Sequence, residues 1–336
     1  MTSTDTRPVV STIVSGRTGW QLGRTGQLIR PRYLVATAVI LVLMATFVVV
    51  SVTTGTLTIP AGRLVPALLG LGEPAENLIM AKRGSRSLLG LLVGFALGVA
   101  GGITQSLVRN PLASPDILGV TSGASLFAVA VILTPLTGVA ASVAIPAAAV
   151  LGAFAAAAVV VGLAWRGGLQ PMRLVLVGIG ITAICTAGTQ WMLMQDDIDN
   201  AAIAVRWLSG SLEGASWDDA WLLLPVCLVS LAAITALARP LAAMRLGQDL
   251  ARGLGVSARR STVLALVLAL VLVAAAAALA GPIGFVAFVA PQVALRVFGT
   301  AGPPVFAAGM CGALIVVGAD LLARVLPVAL PAGVIT

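Results

Sequence analysis

The chain contains no histidine, one lysine, one tyrosine and three cysteines in 336 residues. Without histidine, the ligand sets from which zinc and iron sites are usually built are missing. Cys185, Cys227 and Cys311 each lie inside an apolar run and read as small buried hydrophobes, neither metal ligands nor disulfide partners. The single lysine, Lys82, is followed by Arg83, so the G-x-x-x-x-G-K-[S/T] loop that cradles nucleotide phosphates cannot form. Charge is scarce as well: 10% of residues are Asp, Glu, Lys or Arg, against roughly 25% in a soluble globular domain. What is present is oil. The chain is 59% hydrophobic with a mean hydropathy of +1.07, which places it in a membrane. The net charge of +8 then reads as arginines flanking membrane spans, not as a nucleic-acid footprint.

A span needs about 20 apolar residues to cross ~30 Å of hydrocarbon. That ruler predicts an all-α membrane protein of about ten helices, near residues 33–52, 88–107, 117–134, 139–164, 174–194, 220–238, 262–280, 283–298, 303–323 and from 325 onward. Residues 1–32, polar and with five arginines, read as an unstructured cytoplasmic tail, and 33–336 as the transmembrane domain. The tenth helix reads as cut short at Thr336. With the N-terminus inside, alternation leaves only Arg63, Lys82, Arg83, Arg86, Arg206 and Arg324 of the 20 basic residues outside. Glu73, Glu76, Asp196, Asp197, Asp199, Glu213, Asp218 and Asp219 fall outside too, as the positive-inside rule favours.

Several stretches depart from plain spans. MRLGQDLARGLGVSARR, Met244–Arg260, is a basic elbow on the predicted cytoplasmic side. Within it Leu246, Leu250 and Leu254 share one helical face, Gly253 and Gly255 permit tight turns, and Asp249 is suited to a helix start. NPLASPDILGV, from Asn110, predicts a fixed turn: Pro111 and Pro115 end helices, Asn110 and Ser114 satisfy backbone groups locally, and Asp116 would cap the third span. The fifth span carries Gly178, Gly180, Thr182, Thr186, Thr189 and Gln190, which suit either a polar pathway or interhelical contact. The tryptophans of WLSGSLEGASWDDAW, Trp207–Trp221, suit an interfacial belt, and Asp218 and Asp219 lie too near a helix start to require a catalytic role.

NPLASPDILGVTSGA, Asn110–Ala124, resembles the signature of the FecCD permease family, membrane subunits of type II ABC importers for iron–siderophore complexes, haem and cobalamin. Gly94 and Gly98 with Gln105, WLSGSLEGASW, LGQDLARGLGV, GPIGFVAFVAP at Gly281–Pro291 and ADLLARVLPVALPAGVIT at Ala319–Thr336 continue the match in order. The resemblance implies that Leu246, Gly247, Asp249, Arg252, Leu254 and Gly255 dock into an ATPase subunit, with Arg259 also on its surface. It implies that Arg83, Arg86 and Arg324 meet acidic residues of an extracytoplasmic binding protein. The family's R-L-P-R element reads Arg83-Gly84-Ser85-Arg86 here, so its central Leu-Pro is missing; snorkelling to headgroups is the alternative for this pair. It implies a pathway along Gly178, Thr182, Thr186, Thr189 and Gln190, and a turn at Asn110, Pro111, Ser114 and Pro115. Partners would be a second permease, identical or paralogous, two ABC ATPases, a binding protein and a ferric siderophore, in a bacterial inner membrane. No metal or cofactor is expected on this chain; ATP and Mg would be used by the ATPase. An ion-coupled carrier is the alternative of a different class, but such carriers place ionisable groups near mid-membrane. Here Asp320 is the only acid within a span, near its outer end.

Overall fold

The computed structural model describes the backbone over residues 10–13, 17–22, 27–29, 31–55, 61–63, 66, 71–134, 138–165, 171–245, 247–300, 302–326 and 331–336. Its helices are α1 (Pro31–Thr53), α2 (Pro74–Val108), α3 (Val120–Ile132), α4 (Gly138–Ala164), α5 (Pro171–Gln195) and α6 (Ile198–Leu208). They continue with α7 (Trp217–Arg245), α8 (Gln248–Gly253), α9 (Ala258–Ala280), α10 (Val286–Phe298), α11 (Val305–Val325) and α12 (Ala332–Ile335). The N-terminal tail, predicted to lack structure, forms three short antiparallel strands, β1 (Val10–Ile13), β2 (Arg17–Leu22) and β3 (Gln27–Ile29), paired in chain order.

Seven helices, α1, α2, α4, α5, α7, α9 and α11, are long and apolar enough to cross a membrane; α3 and α10 are shorter apolar helices. At 1.5 Å per residue the 13 residues of α3 and of α10 extend roughly 20 Å, too short to cross alone. Within the predicted spans at 117–134 and 283–298 the helix therefore begins only at Val120 and Val286, entered through extended or tightly turned backbone. The last predicted span does not begin at 325, where α11 is still helical; α12 begins at Ala332.

The largest departure is α2. Predicted from residue 88, it starts at Pro74 and runs for 35 residues, roughly 52 Å. Proline at the first helical position needs no amide partner, and Glu76 Oε2 accepts from the Glu73 amide at 3.4 Å, closing the helix start. The low-charge, glycine-rich stretch that follows lets α2 lie at the centre of the bundle, against α7, α9, α10 and α11. Its contact with α11 is the most extensive. A Cβ on Gly98 would stand 2.2 Å from the Ala308 carbonyl oxygen, and one on Gly94 would stand 2.3 Å from that of Gly312. Small residues thus bring two backbones into direct contact where lipid offers no hydrophobic drive for association. Gln105, buried on α2, donates to the Phe288 carbonyl (3.0 Å) and accepts from Gln292 (2.7 Å), fixing α10 alongside.

The bundle has two polar ends. At one, α1 ends beside the start of α2 and the end of α11; at the other, Arg32 of α1 donates to the Val297 carbonyl (3.0 Å) and the Arg296 carbonyl (2.5 Å) that end α10. This grouping agrees with the alternation predicted from the sequence.

Candidate functional site

At the first polar end the predicted docking arginines converge. Arg83 and Arg86 stand on α2, in the helix and not in a loop before it, so the missing Leu-Pro leaves them on continuous helical backbone. Arg86 Nε donates to Asp320 Oδ1 (2.9 Å) and Oδ2 (3.1 Å), and its Nη2 donates to Oδ1 at 2.7 Å. Arg324, one turn beyond Asp320 on α11, approaches the same carboxylate at 3.0 Å. Arg324 Nη1 also donates to the Ser51 carbonyl (3.0 Å), its Nη2 to the Ser51 hydroxyl, and Arg83 Nη1 to the Val52 carbonyl (2.8 Å). The carbonyls at the end of a helix lack intrahelical partners, so two of the three arginines also cap the last turn of α1. Two guanidiniums share one carboxylate and a third stands beside them on the Val52 carbonyl, which leaves an excess of positive charge. Free snorkelling does not describe these side chains, because they are held inward by protein acceptors.

Asp320 and Ser51 were not among the residues predicted for this site. The Asp320–Arg324 spacing of four was the available signal for the first; Ser51 carries none, since only the packing of α1 brings it there.

At the opposite end lies the elbow. Leu246 falls outside the described residues. Gly247 holds the cap position before α8, and Asp249 falls in the first turn of that six-residue helix instead of at its cap. The helix closes on Gly255 with φ of +78°. The Val256 amide donates to the Ala251 carbonyl (2.9 Å) and the Gly255 amide to the Arg252 carbonyl (2.9 Å). This paired closure requires a left-handed residue, for which glycine is the cheapest choice. Ala251 packs inward, whereas Leu250 is 56% and Leu254 64% exposed. The leucine face predicted for the elbow is therefore presented outward. Arg252 is exposed beside it. Arg259, also exposed, lies over the Trp165 ring at 5.3 Å, a cation–π contact within the chain. Arg109, in a left-handed conformation at the end of α2, donates to the Met244 carbonyl at 2.6 Å.

The turn after α2 forms as the sequence predicts. Asn110 Oδ1 accepts from the Leu112 amide (2.9 Å), and Ser114 precedes a short 3-10 turn, Pro115–Leu118, whose first residue is Pro115. Pro111 lies exposed between them. Asp116 was expected to cap the third span and does not. Its carboxylate accepts from the Ser114 hydroxyl (3.2 Å) and from the Thr121 hydroxyl, while Gly119 stands at the cap of α3 with φ of +69°. The positive φ excludes most side chains from that position, and the aspartate is drawn to hydroxyl donors instead. In the Trp207–Trp221 segment, Asp219 lies at a helix start as expected: its Oδ2 accepts from the Ser216 amide (2.9 Å) and the Ser216 hydroxyl accepts from the Asp219 amide (3.1 Å), a reciprocal helix cap.

The pathway residues on α5 divide between two environments. Thr186 and Gln190 lie on its exposed face and Thr182 is half-buried, whereas Gly178 and Thr189 face the bundle. Thr189 donates to the Cys185 carbonyl at 2.9 Å and is buried, so its hydroxyl faces the bundle and not an open route. The exposed face also carries Ile179, Trp191 and Met194.

The model of the FecCD transport family matches residues 40–336. The ferric enterobactin transport system permease protein FepG of Escherichia coli (strain K12) is 40% identical over 84% of this chain and 86% of its own. The Fe(3+)-citrate import system permease protein YfmE of Bacillus subtilis (strain 168) is 37% identical over 91% of this chain and 92% of its own. A solved ABC transporter assigned to the metal-chelate type, in an inward-facing conformation, shares the fold with a TM-score of 0.77 at 22% identity, covering 90% of this chain and 94% of that one.

Proposed function

The chain belongs to the FecCD transport family, and on that premise we propose that it is the membrane-spanning permease of an ATP-driven importer of ferric siderophores. The cargo follows the relatives, whose names specify ferric enterobactin and Fe(3+)-citrate. The permease works with two ATPase subunits at the elbow, a second permease copy or paralogue, and a binding protein at the arginine cluster. It sits in the bacterial inner membrane with its N-terminus inside.

The observation that carries this reading is the elbow. Leu250 and Leu254, more than half exposed on a short helix with a fixed closure, are what a helix-in-groove contact requires. The chain has no phosphate-binding loop of its own, so force must enter from a partner, through a rigid-body rearrangement driven by its nucleotide cycle. Transport changes no bond in the cargo. On this reading the exposed face of α5, with Thr186 and Gln190, lines the route or the contact with the second permease, and selectivity rests with the binding protein.

The test is co-purification of this chain with candidate ATPase and binding-protein partners, then uptake of iron-55 siderophores into proteoliposomes. Uptake that requires ATP and both partners supports the proposal. Cargo movement by the chain alone, downhill or on a proton gradient, overturns it; uptake of cobalamin or haem in place of the siderophore overturns the cargo only.

A further inference from the structure

We propose that Asp320 is a positioning residue: a buried counter-ion that holds Arg86 and Arg324 ready for the carboxylates of the extracytoplasmic binding protein. The inference rests on the importer reading above. Its grounds are the layering of the cluster. Asp320 is 2% exposed, while the side chains of Arg86 and Arg324 are 21% and 20% exposed. The acid lies beneath and the cations lie over it, toward the polar end of the bundle.

A buried ion pair that served only to join α2 to α11 would need one cation for its one acid. Here a single carboxylate gathers Arg86 from α2 and Arg324 from its own helix, and Arg83 stands beside them on the Val52 carbonyl. The cluster keeps a charge of +2 after Asp320 is counted. Arginine's fork also has donors to spare. Arg86 uses Nε and Nη2 on Asp320, and among the described residues nothing accepts from its Nη1. A guanidinium is planar, so fixing two of its nitrogens fixes the direction in which the third points. A freely moving arginine would lose rotamer freedom on docking; one already pinned from below loses less. Asp320 thus acts through the arginines and touches no partner itself.

The experiment uses the permease–ATPase complex in phosphatidylcholine nanodiscs. The binding protein that co-purifies with it is titrated over a range of NaCl concentrations. Asp320→Asn is expected to weaken binding about tenfold, mostly through faster dissociation, while the salt slope persists because the arginine charges remain. Asp320→Glu, with the same charge displaced by one methylene, is expected to lose about threefold. Arg86→Gln with Asp320→Asn is expected to be no weaker than Arg86→Gln alone, since one residue works through the other. Wild-type affinity in both Asp320 variants, with Arg86→Gln weakened, overturns the proposal and leaves the importer reading standing. Wild-type affinity in Arg86→Gln and Arg324→Gln as well removes the docking reading itself. If Asp320→Asn fails to accumulate, Asp320→Glu decides: a loss supports positioning, and none overturns it. A variant effect that appears only with phosphatidylglycerol in the discs makes the cluster a lipid site and also overturns the proposal.

Discussion

Asp116 is a residue whose environment opposes itself. Burial pushes its carboxyl above the ordinary carboxylate range, while hydroxyl donors from Thr121 and Ser114 pull it partway back. The folded chain therefore keeps a proton on Asp116 at pH values where the unfolded chain has released it. Stability associated with this group is present at low pH and is lost as pH rises through the folded-state value. Asp116→Asn does not titrate, so its melting temperature relative to wild type should move in the variant's favour from about pH 5 to about pH 8. A constant or reversed difference in detergent-solubilised protein would contradict this sign. At the other end, Arg83→Glu with Arg86→Glu should weaken binding-protein association and flatten its salt dependence, because complementary charge sets encounter rate and register. Equal affinity and an unchanged salt slope in a titration would remove the electrostatic role. The arginines could be read from the sequence because they break the positive-inside trend. The carboxylate beneath them could not be assigned, since its partner Arg86 lies 234 positions away.

Among the elements, the contact of α2 with α11 tolerates little. Gly98→Ala would drive a methyl group into the Ala308 carbonyl, and forcing the helices apart should cost about 1–3 kcal/mol, seen as a lowered melting temperature. Gly162→Ala on α4, where an added Cβ meets nothing within 4 Å, is the control that should leave it unchanged or slightly raised. The elbow gives the opposite pattern. Leu250→Ser with Leu254→Ser changes exposed positions, so the permease itself should shift by no more than about 0.5 kcal/mol, while co-purification with the ATPase is lost. Retained ATPase binding would show that the leucines serve something else. Long apolar runs with polar borders, such as α1 and α9, were legible from the ruler of hydrocarbon thickness. The helical parts of the predicted spans at 117–134 and 283–298 are shorter than expected, because apolar run length does not reveal that extended or turned backbone precedes the helix. The early start of α2 was missed because Glu73, Glu76, Lys82, Arg83 and Arg86 make its first turns look like a loop.

For the whole molecule, the nine apolar helices of the described chain group their polar borders at two ends. The two candidate sites were each legible from motif and charge; that one helix joins them was not, since it depends on α2 being continuous. Arg109→Ala, which removes the bond to the Met244 carbonyl, should leave assembly intact and reduce the stimulation of ATP hydrolysis by the loaded binding protein. Unchanged stimulation would mean that this bond carries no coupling.

An uninterrupted α-helix neither stretches nor shortens appreciably, so α2 behaves as an axle, and what reaches one rim of the membrane must leave the other as tilt or rotation. On the proposed importer reading, thermodynamic reciprocity then applies to the two partners at its ends: if nucleotide at one loosens the grip on the other, that guest must loosen nucleotide by the same factor.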